Sequence, residues 1–184
     1  MKLTLHNKNI RIGLMGVGML LCSSLSSQKL ALKSNFVAWG TMTPNAGIEV
    51  VLNSHISASL MLNYHPFDYN NKPFKFFLAQ PELRYWPGRP NARHFFALST
   101  FYFDNHIQYK QTYYKGNGIA TGILYGYDWV LNRRWNIEAS LGVGAMHARQ
   151  FKYKEGEQMP SHINYEKWLF VPVQCSISFV YLIQ

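Results

Sequence analysis

The residues best equipped for chemistry lie in Pro81-Glu82-Leu83-Arg84-Tyr85-Trp86. Side chains alternate along an extended segment, so Glu82, Arg84 and Trp86 share one face and Leu83 and Tyr85 the other. Carboxylates with a nearby guanidinium can do acid–base work. The same groups can instead cross-link the strands of a closed interior, because a buried charge without a partner costs several kcal/mol. Two further acids, Glu49 and Glu138, fall within alternating runs on the polar face. They would complete an interior network of Glu49, Glu82, Arg84 and Glu138. A small closed interior leaves no room for a substrate, so the network reads as structural and the chain as no enzyme.

Other chemistry finds little support. The seven histidines show neither HxxxH nor HxH spacing, so no metal site is expected. The glycines do not open a helix and cradle no phosphate, and no cofactor is expected. There are two cysteines, Cys22 and Cys175. Once the leader is removed only Cys175 remains, which excludes an internal disulfide and a cysteine zinc site.

The elements that position these residues follow from the periodicity. Lys2, Lys8 and Arg11 precede an apolar run of ten, Ile12 to Leu21, and then a serine-rich stretch. That pattern predicts a secretory signal peptide over 1–27, too short to span a bilayer. Leu21 is bulky where a lipoprotein signal would carry a small residue, which argues against lipidation of Cys22. The leader holds three of the 18 basic residues and none of the nine acids, so residues 28–184 keep a modest basic excess. Those charges are spread over the chain, unlike a nucleic-acid footprint.

The remainder forms one domain of strand-like runs and turn-rich breaks, without helical period. The runs are Leu30 to Met42, Ile48 to Leu52, Ile56 to Tyr64, Phe74 to Trp86, His94 to Phe103, Gly118 to Leu131, Trp135 to Ala145, and a last one through Ile183. Long connections at 66–73, 104–116 and 154–165, with 43–47 as a short first member, alternate with short ones at 53–55, 87–93 and 132–134. This predicts an all-β fold, an eight-stranded antiparallel up-and-down transmembrane β-barrel with its short turns in the periplasm. In the last run Leu169, Val171, Val173, Cys175 and Ile177 are expected outside, opposite Phe170, Gln174, Ser176 and Ser178.

Alternation alone fits a soluble lipocalin-like barrel too. Lipid outside is favoured because glycine, alanine and serine share the polar face with the charges. Tyr64, Tyr85, Trp129 and Trp135 bracket the apolar band as interfacial aromatics do. His55-Ile56-Ser57 is similar to the His-x-Ser arrangement of lipid A deacylase barrels. It lies at a periplasmic turn, the wrong end for chemistry on the outer leaflet.

Four blocks carry a family resemblance: Asn45-x-Gly47-x-Glu49, Pro81-Glu82-Leu83-Arg84-Tyr85-Trp86, Gly122-x-x-x-Gly126-Tyr127, and Trp135-x-x-Glu138-x-x-x-Gly142-x-Gly144. Over about residues 30–184 the chain resembles a domain-of-unknown-function family of small bacterial proteins. The resemblance implies an outer-membrane barrel, often encoded beside fimbrial-assembly genes, and brings no activity with it. The shape is also similar to OmpA- and OmpX-type barrels, although the chain closes on Tyr181-Leu182-Ile183-Gln184 without the usual final aromatic residue.

The function expected is therefore a structural or interaction barrel in the outer membrane. Its outer loops would contact lipopolysaccharide or a surface protein, a fimbrial one if the resemblance holds, and no nucleic acid. Tyr109, Lys110, Tyr113, Tyr114, Lys115, Lys152 and Lys154 are the candidate contact residues, combining cations with rigid amphipathic rings. The alternatives are an outer-membrane lipid-modifying enzyme and a soluble periplasmic lipocalin-like binding barrel.

Overall fold

A computed structural model describes residues 29–183, apart from 70, 71, 110, 155 and 159. The expected signal peptide at 1–27 and Cys22 lie outside the described residues, as does Lys110. The elements in chain order are β1 (Leu30–Asn35), α1 (Phe36–Gly40), β2 (Asn45–Val51), β3 (Ile56–His65), β4 (Asp68–Tyr69), β5 (Lys72–Tyr85), β6 (Arg93–Tyr109), β7 (Thr112–Val130), β8 (Trp135–Lys154) and β9 (Tyr165–Ile183).

Eight antiparallel strands make one ring-like sheet, with almost no helix. β1 pairs with both β2 and β9, and β3 pairs directly with β5, so the two-residue β4 is only an edge ribbon on β5. Short connections at 52–55, 86–92 and 131–134 gather at one end. The strands differ in height. β1, β2 and β3 have 6, 7 and 10 residues, whereas β6 to β9 have 17 to 20. β9 meets β1 only from Ser178 to Ile183. The ring therefore closes near the short turns, and β5 to β9 rise beyond it as a sheet.

Three expected boundaries are corrected. The first run stops at Asn35, whose side-chain oxygen accepts from Val37 N at 3.0 Å and caps a five-residue helix, so Val37 and Trp39 are not on a strand. The loop expected at 104–116 is a tall ribbon: Asp104 faces Asn117 and the pairing continues to Tyr109 opposite Thr112. Its polarity concealed it, because the inward face carries the buried polar side chains of Asn105 and Gln108 and no apolar period marks it. Cross-strand pairs such as His106–Tyr113, with centroids 6.2 Å apart, hold it instead.

The third correction lies in β9. The β8 register shifts between Gly142 and Val143, where Gly142 faces Gln174 and Val143 faces Pro172. Pro172 cannot donate to the ladder and sits at this bulge. The extra residue reverses the alternation, so Val173 is buried while Phe170 is exposed, opposite to the expected sides.

Elsewhere the two faces follow the alternation. Leu60, Leu62, Leu83, Phe96, Leu98, Ile123, Leu141 and Val143 are exposed on the outside of the ring. Among the described residues, twenty-one polar or charged side chains are buried against eleven hydrophobic ones, so the ring is polar within and apolar without. An apolar cluster, Trp86, Phe95, Ala97, Phe101, Ala120, Leu124 and Val173, shares the interior. It was not foreseen, and neither was the close approach that makes room for it. A Cβ on Gly126 would run into the ring of Phe95.

Candidate functional site

The four network residues expected from the sequence do converge. β2 contributes Glu49, β5 Glu82 and Arg84, and β8 Glu138, all at most 5% exposed. Arg84 Nε and Nη2 donate to Glu82 Oε2 at 2.8 and 2.5 Å, and Nη1 donates to Glu138 Oε2 at 2.7 Å and Glu49 Oε2 at 3.2 Å. The guanidinium also lies over the Phe95 ring, 4.5 Å from its centroid. That ring in turn packs against Trp86 at 4.8 Å.

The sequence reading missed Lys33 on β1. Its ammonium donates to Glu138 Oε2 at 2.6 Å and pairs with Glu49. A signal for it existed. Three acids had been assigned to a closed space with one arginine, and a second cation was required. Lys33 is also two residues from Ala31, with Leu32 between them turned outward. Two bases now answer three acids, and each base bridges strands that are distant in sequence. The interior thus acts as a cross-link across the ring.

Above the network a small cavity of about 40 Å³ is lined by Ser59, Gln80, Glu82, Arg84, Gln174 and Ser176, among others. Gln80 Nε2 donates across it to Gln174 Oε1 at 2.7 Å. Side chains thus fill the ring's bore at this level. Toward the short turns, Asn136 Nδ2 donates to Asp128 Oδ2 at 3.0 Å and to the Asn91 carbonyl at 2.8 Å. The turn at 86–92 is thereby pinned across the end of the ring.

The His-x-Ser spacing does not become a dyad. Ser57 is buried, donates to Glu49 Oε1 at 2.5 Å and accepts from Trp86 Nε1 at 2.8 Å. His55 is exposed in the turn and pairs with Ser54 at 2.9 Å.

At the tall end, the candidate contact residues do not share one surface. Tyr114 faces Lys152 across β7 and β8, and Thr112 faces Lys154, whereas Tyr113 faces Tyr153 and Lys115 faces Phe151. Alternation puts Tyr114, Lys152 and Lys154 on the face continuous with the ring's interior, and Tyr113 and Lys115 on the other. Lys152 Nζ lies 5.8 Å from the centroid of Tyr114 and 5.5 Å from that of Tyr165, a cation held between two rings. Tyr113 stacks on Tyr153 at 5.1 Å. Tyr109 is placed by its backbone pairing with Thr112. Partial burial, then the charges of Lys115 and Lys75, hold His106 below the ordinary histidine range. The ribbon's positive charge at neutral pH is therefore carried by lysine.

A family model described as Protein of unknown function (DUF3575) matches residues 14–183, nearly the whole chain. No curated protein matches it.

Proposed function

The chain belongs to that family, and from this premise we propose that it is a structural or interaction β-barrel of the bacterial outer membrane. A signal peptide at 1–27 would export it. The observation that carries the proposal is the inverted distribution of polarity. Charged and polar side chains fill the interior, and a belt of exposed Leu, Ile, Val and Phe encircles the outside. Water on such a belt would be costly, at about 25 cal/mol per Å² of apolar surface, whereas hydrocarbon suits it. A soluble lipocalin-like barrel would carry the opposite pattern.

Strand length supports the reading for most of the sheet: a membrane strand needs about 9–11 residues, β3 has 10 and β5 to β9 have 14 to 20, while β1 and β2 are shorter at 6 and 7. Tyr85, Trp129 and Trp135 stand exposed beside the short turns and suit the periplasmic interface. The ribbon of β6 and β7 would then stand outside the cell, where Lys115, Lys152 and Lys154 would meet lipopolysaccharide phosphates or a surface protein. A fimbrial component is the partner that the family resemblance suggests. The packed interior argues against an open pore, and no step of catalysis is assigned to it.

Fractionation tests this reading. The protein should sediment with outer membrane and migrate faster on gels unheated than boiled. Recovery without detergent in the periplasmic fraction would overturn it and favour the lipocalin-like alternative.

A further inference from the structure

The tall end carries both signs of surface charge: Asp68 pairs with Lys75 at 3.3 Å, and Glu166 lies 3.8 Å from Arg149 and 2.9 Å from the His147 ring, with Lys115, Lys152 and Lys154 nearby. The three short turns at 52–55, 86–92 and 131–134 contain Arg89, Arg133 and Arg134 and no acid, and Arg133 already holds a contact of its own. Lys29 and Arg93 stand exposed at the strand ends beside them. Asp128 and Glu138, carboxylates on the strands that run into these turns, are each 1% exposed and turned into the ring.

A cleft of about 450 Å³ opens among these cations, a size suited to a small ligand. Its walls combine Lys29, Arg89 and Arg133 with the amides of Asn91 and Asn132, and with apolar Val130, Leu182 and Ile183. No acid lines it. Cations and amide donors fit the oxygens of a phosphodiester, and arginine suits that group through its planar fork. The apolar wall fits the glycerol and the first methylenes behind the phosphate. A free sugar phosphate or an inorganic ion would leave that wall unused.

We propose that this cleft binds the headgroup of an anionic phospholipid. The proposal rests on the membrane reading above. It places the site at the periplasmic leaflet, opposite the ribbon end expected to meet lipopolysaccharide. Such a headgroup would fix the depth and tilt of the barrel at the leaflet where phosphatidylglycerol is found, while the exposed aromatics beside the turns set the interface.

The test uses the full mature chain refolded into vesicles of phosphatidylcholine, alone or with about one-fifth phosphatidylglycerol. Faster migration of unheated samples reports insertion. Native mass spectrometry of protein released from the vesicles then counts retained phosphatidylglycerol. Wild type should retain it. Lys29→Gln/Arg89→Gln should retain about thirtyfold less, at the usual contribution of a cation near an anionic surface. The charge-matched Lys75→Gln/Arg149→Gln, whose cations already face Asp68 and Glu166, should change retention less than twofold. Failure to insert into either vesicle would overturn the membrane reading and this site with it. Insertion with equal retention by all three proteins would overturn the site alone. Displacement of the lipid by an equal concentration of glycerol 3-phosphate would show that the cleft takes small phosphates, and would overturn the lipid assignment.

Discussion

The closed ring beside the short turns and the ribbon of β6 and β7 beyond Phe103 and Gly118 belong to one sheet and are held by different forces. In the ring, closure hides one face of every strand. Any charge on that face must be answered inside, and Lys33 and Arg84 answer Glu49, Glu82 and Glu138 within 3.2 Å. In the ribbon the face continuous with the interior carries uncharged Asn105 and Gln108, Lys115 stands exposed on the other, and stacked pairs such as Tyr113–Tyr153 hold the strands. Substitutions should therefore be severe where the sheet closes and mild where it does not. That asymmetry would suit the proposed barrel, a rigid ring below a ribbon that tolerates substitution.

The largest effect is expected at Arg84, which serves three carboxylates at once. Arg84→Ala should cost about 3–5 kcal/mol, because it strands buried acids with only Lys33 to answer them. Glu82→Ala/Arg84→Ala should cost less than the single change, since one of the stranded acids leaves with the arginine. Denaturant unfolding followed by tryptophan fluorescence in detergent measures both. An unchanged midpoint for Arg84→Ala would remove the distinction between ring and ribbon.

Glycines sharpen the comparison next. A Cβ at Gly144 would press on the Thr121 carbonyl and stand 2.6 Å from Gly122 Cα, backbone of the facing strand that cannot swing aside. Gly144→Ala should cost about 1–3 kcal/mol as an overpacked site. At Gly88, in a short turn, the added methyl would meet nothing within 4 Å, and Gly88→Ala should stay within about 0.5 kcal/mol of wild type. Equal midpoints for the two variants would mean that β7 and β8 separate easily, against the packing described.

The same contrast explains what the sequence disclosed. Inside the ring the period of two is enforced by apolar outside and polar inside, so Glu49, Glu82, Arg84 and Glu138 could be assigned to one face from the letters alone. Lys33 was signalled only by the charge count, because its strand is six residues long and yields at Asn35 to a helix that a strand period cannot announce. Val173 was misplaced because one extra residue at a bulge reverses every side chain beyond it, and Pro172 was the only mark of that bulge. The ribbon was taken for a loop because nothing there enforces alternation. The split of Tyr113 and Lys115 from Tyr114, Lys152 and Lys154 became visible only with the register.

The smallest effect on stability, and the most informative about function, should come from the ribbon. Replacing residues 106–115 with a short Gly/Ser turn removes the cross-strand pairs above Asn105 and leaves every member of the ring network untouched. The cost should be about 1 kcal/mol or less, the sum of a few solvent-exposed pairs and a slightly altered loop closure. If the ribbon carries the contact surface, pull-downs from detergent-solubilised outer membrane should lose a partner that wild type captures. Because Tyr114 and Tyr113 lie on opposite faces, Tyr114→Ala/Lys152→Ala and Tyr113→Ala/Lys115→Ala should not be equivalent, and the face that matters should account for most of the loss. Identical recovery by wild type, both double variants and the shortened protein would leave the ribbon as an extension of the anchor and move the contact surface to another part of the molecule.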